Sequence, residues 1–290
     1  MLKQRIQSSI IMFALFGLTY FFLDYFYFEF LVLVIGGFLL FELSKILKLN
    51  GLSLAFFWVL GSTPLLVSFI ANLTSNFGNF FHLYNYFYFT NTLYPLISDF
   101  LSYTIPFLAT LSLMFWLFIV PLDILYKKLS SNSLMQVFYG LFLVTPMVLS
   151  TISLFEANKN ILLIIILMIW LADIGAYFSG KKFGRIKIVK KISPGKTLEG
   201  LAGGFLSNLI FISFLHIFEF LNIFDGILLA FLITALSLYG DLYESFLKRM
   251  AKIKDSSNLI PGHGGFLDRL DSFCPTIPIL YFLLRAFEYI

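Results

Sequence analysis

Charge is what this chain has least of. Asp, Glu, Lys and Arg make up 12% of its 290 residues, against about 25% in soluble domains. That scarcity argues against a water-soluble globular fold. The 59% hydrophobic content and a mean hydropathy of +0.91 argue equally against disorder, since disordered chains are poor in apolar residues. Cysteine is nearly missing: Cys274 stands alone, which rules out an intrachain disulfide and gives no sign of an oxidising compartment. With no Cys/His cluster, a zinc site lacks its usual ligands. There is no internal repeat and no low-complexity linker.

What remains is a series of long apolar runs. A transmembrane helix needs about 20 mostly apolar residues to cross roughly 30 Å of hydrocarbon. Nine runs qualify, near 6–23, 27–44, 51–72, 101–122, 132–155, 160–179, 200–220, 226–243 and 273–290. They are too long and continuous for buried strands. Residues 6–23 exceed the 7–15-residue core of a signal peptide and read as the first span. The expected architecture is an all-α integral membrane protein, a polytopic bundle of about nine transmembrane helices with two cytoplasmic catalytic segments. Residues 1–160 form an N-terminal bundle of five spans. Residues 161–290 form the catalytic region, with cytoplasmic segments 180–199 and 244–272.

Lys and Arg placement orients the bundle, because basic loops stay in the cytoplasm. With the N-terminus inside, 18 of the 20 basic residues fall on the cytoplasmic side; Lys159 and Arg285 do not. The net charge of +4 sits beside apolar runs, which points to anionic headgroups and phosphates and not to a nucleic acid polymer. Residues 73–100 hold ten aromatics and one acid, Asp99. They read as an interfacial belt or a helix lying on the membrane, with His82 an interfacial polar residue.

The chemistry concentrates in two hydrophilic stretches. The first starts at Asp173-Ile174-Gly175-Ala176-Tyr177 and runs through Lys181, Lys182, Arg185, Lys187, Lys190 and Lys191 to Ser193-Pro194-Gly195-Lys196-Thr197-Leu198-Glu199-Gly200. The lysines at 181–191 serve topology and anionic lipid as readily as catalysis. Ser193 before Pro194 predicts a helix N-cap with proline at the first helical position. Free N–H groups, Lys196 and the Thr197 hydroxyl would then suit a phosphate. The segment is not a P-loop, because Lys190 stands where the first glycine is needed.

The second stretch runs from Gly240-Asp241 through Glu244, Ser245, Lys248, Arg249, Lys254, Asp255 and Ser257 to His263-Gly264-Gly265-Phe266-Leu267-Asp268-Arg269-Leu270-Asp271. Helical spacing predicts Asp241, Ser245 and Lys248 on one face. Gly264 and Gly265 let a loop fold against a ligand, and Asp268 can return a second carboxylate towards Asp241. Carboxylates with phosphate oxygens are the usual surroundings of Mg²⁺. His263 offers a phosphate contact or proton transfer, or is a loop histidine satisfied by backbone. Asp255 and Asp271 read more simply as solvated or salt-bridged.

From Ser245 to Asp271 the chain resembles the signature of the phosphatidate cytidylyltransferases (CDP-diacylglycerol synthases). Lys248, Arg249, Lys254, Asp255, Ser257, His263, Asp268, Arg269 and Asp271 all stand at specified positions. Asp173 to Tyr177, Ser193 to Gly200 and Gly203-Gly204 resemble a second block of the same family. Two departures are Ile174, where the family often has Thr or Ser, and Lys181, where it has Arg and its bidentate phosphate geometry. The resemblance implies transfer of a cytidylyl group from CTP to phosphatidic acid, giving CDP-diacylglycerol and pyrophosphate. It implies Mg²⁺ on Asp241 and Asp268, with Asp173 a further ligand or an orienting group, and K⁺ as a second metal. Lys248 and His263 join the two acids as catalytic residues. Ser193, Lys196, Thr197, Ser245, Arg249, Gly264, Gly265 and Arg269 become substrate contacts. A homodimer in a bacterial inner or cell membrane, working on its cytoplasmic face, also follows from the resemblance. A CTP-using enzyme acting on an isoprenoid or ether lipid is a close alternative. A transporter would call for charged or broken spans at the midplane, whereas Asp173 and Asp241 lie near span ends.

Overall fold

The computed structural model describes residues 14, 16–80, 84–126, 133–190, 192–262 and 264–290, the side chains of 74–80, 84–94 and 133–134 excepted. Apolar runs become helices throughout. They are α1 (Tyr25–Ile46), α2 (Gly51–Phe80), α3 (Tyr84–Met114), α4 (Val120–Tyr126), α5 (Ser133–Tyr139), α6 (Thr145–Phe183), α7 (Leu198–Ile217), α8 (Ile223–Ala251), α9 (Leu267–Leu270) and α10 (Phe273–Ala286). Single π-helical turns at Phe115–Ile119 and Gly140–Val144 join α3 to α4 and α5 to α6. Of the expected first span, residue 14 and residues 16–23 are described, and all of them but Leu23 are helical. The aromatic run around His82 lies outside the described side chains.

Six helical stretches among the described residues are long and apolar enough to cross a membrane, and α10 is apolar but shorter. One of the six, Met135–Phe183, has 49 residues. Unbroken, it would extend about 74 Å, more than twice the hydrocarbon thickness. It is broken: Asn158 is extended (φ −161°, ψ 97°). Its Oδ1 accepts from the N–H groups of Asn160 (3.0 Å) and Ile161 (3.3 Å), which restarts the helix as an N-cap does. Large apolar side chains such as Leu52, Tyr103, Phe107, Ile210 and Phe231 are exposed on the outside of the bundle. That is the reverse of a soluble protein and suits a lipid surface. This is an all-α, multi-pass membrane protein.

Inside, Leu39, Leu40, Phe57, Trp116, Val148, Leu154, Ile165, Ile233 and Ile277 form one continuous core. The closest helix pair is α6 with α7. A side chain at Gly204 would run into the Ala172 carbonyl oxygen at 2.7 Å, so small residues let these backbones touch. Two buried polar knots brace the bundle. Glu29 accepts from Ser68 (2.6 Å) and Asn72, and Asp123 accepts from Tyr139 (2.5 Å) and Tyr243 (2.8 Å).

One expectation is corrected. Ser193 does not cap a helix. Residues Ser193–Thr197 form β2, which pairs antiparallel with β1 (Lys187–Val189). Pro194 is tolerated there because a two-stranded ribbon has free edges. The cap falls four residues later: Thr197 is extended and its Oγ1 accepts from Gly200 N–H at 3.1 Å. Glu199, in the first turn of α7, accepts from Ile186 N–H, and Leu198 N–H donates to the Ile186 carbonyl at 2.9 Å. These bonds fasten the hairpin to α7.

Candidate active site

The site lies where α6, β2, α8 and the segment after α9 meet. Helix α8 runs past the apolar stretch to Ala251, and Lys252 closes it in the left-handed conformation (φ 61°). Part of the expected face is present: Ser245 Oγ donates to Asp241 Oδ1 at 3.3 Å, while Lys248 turns to Glu244 and Asp268. Asp241 also pairs with Lys196, delivered by β2. A side chain at Gly240 would strike the Asp271 carbonyl at 2.3 Å, so this glycine admits the 271 backbone beside Asp241. Asp173, from α6, hydrogen-bonds Ser272 and stands within Coulombic reach of Lys196, Asp241 and Arg269.

Three acids therefore surround one lysine. Asp271 is half-buried, and its desolvation, together with the charges of Asp241 and Asp173, pushes its carboxyl up to about 8. Burial alone would lower the Lys196 ammonium. The Asp241 carboxylate against it more than offsets this, and the group is held above the usual lysine value. A cavity of about 350 Å³ opens beside the cluster, lined by Asp173, Tyr177, Ser193, Lys196, Thr197 and Ser237 among others.

Asp268 sits in a second cluster. Its Oδ2 accepts from Ser256 N–H, Ser256 Oγ and Gly265 N–H, each at 2.8 Å. Its Oδ1 lies 2.5 Å from Lys248 Nζ, which is also 2.5 Å from Glu244 Oε2. Burial would raise the Asp268 carboxyl, but the Gly265, Lys248 and Ser256 donors hold it below the usual range. Gly264 turns the loop with φ 85°, and Ile260 N–H donates to its carbonyl at 2.8 Å. Arg249 and Arg269 are exposed. His263 lies outside the described residues.

The structure thus brings together Asp173, Ser193, Lys196, Thr197, Asp241 and Ser245 on one side, and Lys248, Gly264, Gly265 and Asp268 on the other. The two acids expected to share one ion engage different lysines. Among the described residues, no three His, Cys, Asp or Glu side chains are arranged to hold a metal. The oxygen donors of Asp173, Asp241 and Asp271 are nonetheless the hard kind that suits Mg²⁺. Glu42 and Glu244 were not anticipated as site residues. An acid inside an otherwise apolar span is the signal that singles out Glu42.

A model of the cytidylyltransferase family matches residues 3–287. The chain belongs to the cytidylyltransferase family. The curated proteins it is similar to include these, each named phosphatidate cytidylyltransferase. That of Haemophilus influenzae is 40% identical over 166 residues, 52% of this chain and 58% of the relative. That of Pseudomonas aeruginosa is 45% identical over 132 residues, 44% of this chain and 48% of the relative. That of Bacillus subtilis is 45% identical over 123 residues, 42% and 46% respectively. The aligned stretch spans about half the length of these relatives. Family membership rests on the wider match, and the two motif blocks at 173–204 and 245–271 belong to the same fold.

Proposed function

We propose that this protein transfers the cytidylyl group of CTP to phosphatidic acid, giving CDP-diacylglycerol and pyrophosphate for phospholipid synthesis. The observation that carries the reading is the Lys196–Asp241 pair set among Asp173 and Asp271 beside the cavity. An oxygen of the lipid phosphate bonds to the α-phosphorus of CTP. The bond from that phosphorus to its bridging oxygen breaks, and pyrophosphate leaves with that oxygen. The attacking phosphate is already anionic, so positioning and charge neutralisation do the work.

Lys196, Lys248 and Arg269 hold phosphates, and the hydroxyls of Ser193, Thr197 and Ser245 stand near them. His263 adds a phosphate contact or a proton. Mg²⁺ would be held by Asp241 with Asp173, and by Asp268 once Lys248 leaves its Oδ1 for a phosphate, K⁺ taking a second position, and the cations would neutralise the nucleotide phosphates. Lys196 moving onto a phosphate would free the Asp241 Oδ2 it now covers. The bundle crosses the membrane nine times with its N-terminus and active site facing the cytoplasm. The break at Asn158, which divides the longest helix, supports that count. A diacyl substrate stays in the bilayer, since exposing it costs about 0.8 kcal/mol per CH₂, so the enzyme must work at the lipid surface.

The test supplies vesicle-embedded protein with radiolabelled CTP, Mg²⁺ and phosphatidate. Label enters CDP-diacylglycerol with the native chain and not with Asp241→Asn. Equal incorporation by both sinks the proposal.

A further inference from the structure

Glu42 lies near the C-terminal end of α1, fully buried, in a mostly apolar helix whose other charged side chains are Glu29 and Lys45. Its carboxylate receives four donors. Oε1 accepts from Ser257 Oγ (2.6 Å) and Phe266 N–H (3.0 Å); Oε2 accepts from Ser256 Oγ (2.9 Å) and Leu267 N–H (2.8 Å). Ser256 and Ser257 sit on one leg of the glycine loop, Phe266 and Leu267 on the other. One side chain from far away in the sequence therefore closes the loop at its base. Ser256 Oγ also lies 2.8 Å from Asp268 Oδ2, so its one proton is shared between the two carboxylates, and Asp268 Oδ1 meets Lys248. The result is a continuous chain from Glu42 through Ser256 and Asp268 to Lys248.

A buried carboxylate is costly unless it is hydrogen-bonded, and four donors meet that demand, some by charge-assisted bonds. Each oxygen faces a backbone N–H, which can only donate. A glutamine at this place cannot satisfy both: whichever way its amide is turned, its NH₂ points at an N–H.

We propose that Glu42 is a positioning residue of the active site: it holds loop 256–268 in the shape that sets Asp268 against Lys248, the cation that meets the phosphates. It does not touch the cavity or the Asp173–Asp241–Asp271 cluster, and it acts through the loop alone. The kinetic side of this inference rests on the cytidylyl-transfer reading; the structural side does not.

The experiment joins two measurements on vesicle-embedded protein. Hydrogen exchange of peptides covering 256–268 is compared for the native chain and Glu42→Gln, with α7 and α10 as internal references. Steady-state CTP incorporation is measured on the same samples, normalised to folded protein. Glu42→Gln is expected to raise exchange at 256–268 by about tenfold and to leave α7 and α10 unchanged. Its kcat should fall about 100-fold, the scale of a roughly 1 Å misplacement, with KM for CTP within about threefold. Glu42→Asp, which keeps both acceptors on a shorter stem, should recover part of kcat. If Glu42→Gln does not fold, Ser257→Ala removes one donor and should give the same local pattern at smaller amplitude. Native exchange at 256–268 in the variant, or a loss that spreads evenly over all helices, overturns the proposal. A native chain that labels no lipid at all would sink the enzymatic reading while the exchange result still decides the clamp.

Discussion

Two groups of carboxylates lie near each other in this protein, and their surroundings are opposite. Glu42 and Asp268 have their acceptor positions filled by backbone N–H groups, serine hydroxyls and Lys248. Asp173, Asp241 and Asp271 share Lys196 and a few hydroxyls. The first group is satisfied by the protein, so its charge holds a shape. The second carries surplus negative charge, so it is ready for a cation and a phosphate. An acid with its donors supplied stabilises the fold, while clustered acids without them destabilise it and perturb their own protonation, as catalytic groups do.

Neutralising one member of each group is the strongest way to break this contrast. Asp241→Asn should lower cytidylyl transfer by at least about 1,000-fold, the scale of lost electrostatic stabilisation in a transition state. Its thermal midpoint should be equal or higher, because repulsion with Asp173 and Asp271 is relieved. Asp268→Asn should also lose activity, by about 100-fold, but should unfold more easily by about 1–3 kcal/mol. With its amide oxygen towards Ser256 and Gly265, the new NH₂ would face the Lys248 ammonium. Thermal melts beside activity separate the two; a stable Asp268→Asn or an unstable Asp241→Asn would erase the distinction.

Acidity sharpens it further. Asp271 is pushed up to about 8 by burial and by its acidic neighbours, against an ordinary value near 3.9. Between those values the folded chain binds a proton that the unfolded chain has released. Stability must then fall as pH rises, and the fall ends once pH passes the folded value. Without divalent cation, the thermal midpoint should drop from pH 6.5 to 8.5, and Asp271→Asn should flatten that part of the curve. An identical slope in the variant would assign the titration elsewhere.

Backbone strain tests the satisfied group without touching a charge. Gly264 has φ 85°, and an added Cβ would lie 2.5 Å from Asp268 Oδ2. Gly264→Ala should cost about 1–2 kcal/mol of stability and reduce transfer about tenfold through the displaced loop. A variant that melts and turns over like the native chain would mean the turn is not under this constraint.

Much of this was legible in the sequence because it is local. The pairing of Asp241 with Ser245 on α8 follows from helical spacing, and the glycines before Asp268 announce a tight loop. The apolar runs gave the bundle for the same reason. What escaped is long-range or depends on competing local options. Glu42 meets Leu267 across 225 positions, and no periodicity connects them; within its span it reads only as an unwelcome charge. The Ser193-Pro194 pair satisfies the rule for a helix start, yet a ribbon with β1 supplied bonds that a helix start there would have lost, and Thr197 took the cap. Asp271 looked like one acid of a salt bridge because nothing in the string tells that Gly240 admits its backbone beside Asp241. Glu42 also ties residues 1–160 to the loop at 256–268 by hydrogen bonds that no local pattern announces.

The smallest expected effect concerns a hydroxyl. Ser237 lies one helical turn before Asp241, is buried, has no hydrogen-bond partner for its Oγ among the described residues, and contributes to the cavity wall. Thr234, on the same helix, donates back to the Ala230 carbonyl at 2.7 Å; Ser237 makes no such bond. Its unmet demand places it with the cation-ready group and not with the satisfied one. Removing an unpaired buried hydroxyl should leave stability unchanged or raise it by up to about 1 kcal/mol. A substrate atom entering the cavity and using that hydroxyl would lose one bond in Ser237→Ala, so KM for CTP or phosphatidate should rise about threefold to tenfold with kcat held, the pattern of lost uniform binding. Titrating each substrate in turn shows which one the hydroxyl meets. A variant that melts earlier with unchanged KM would transfer Ser237 to the shape-holding class and narrow the surplus to the three aspartates alone.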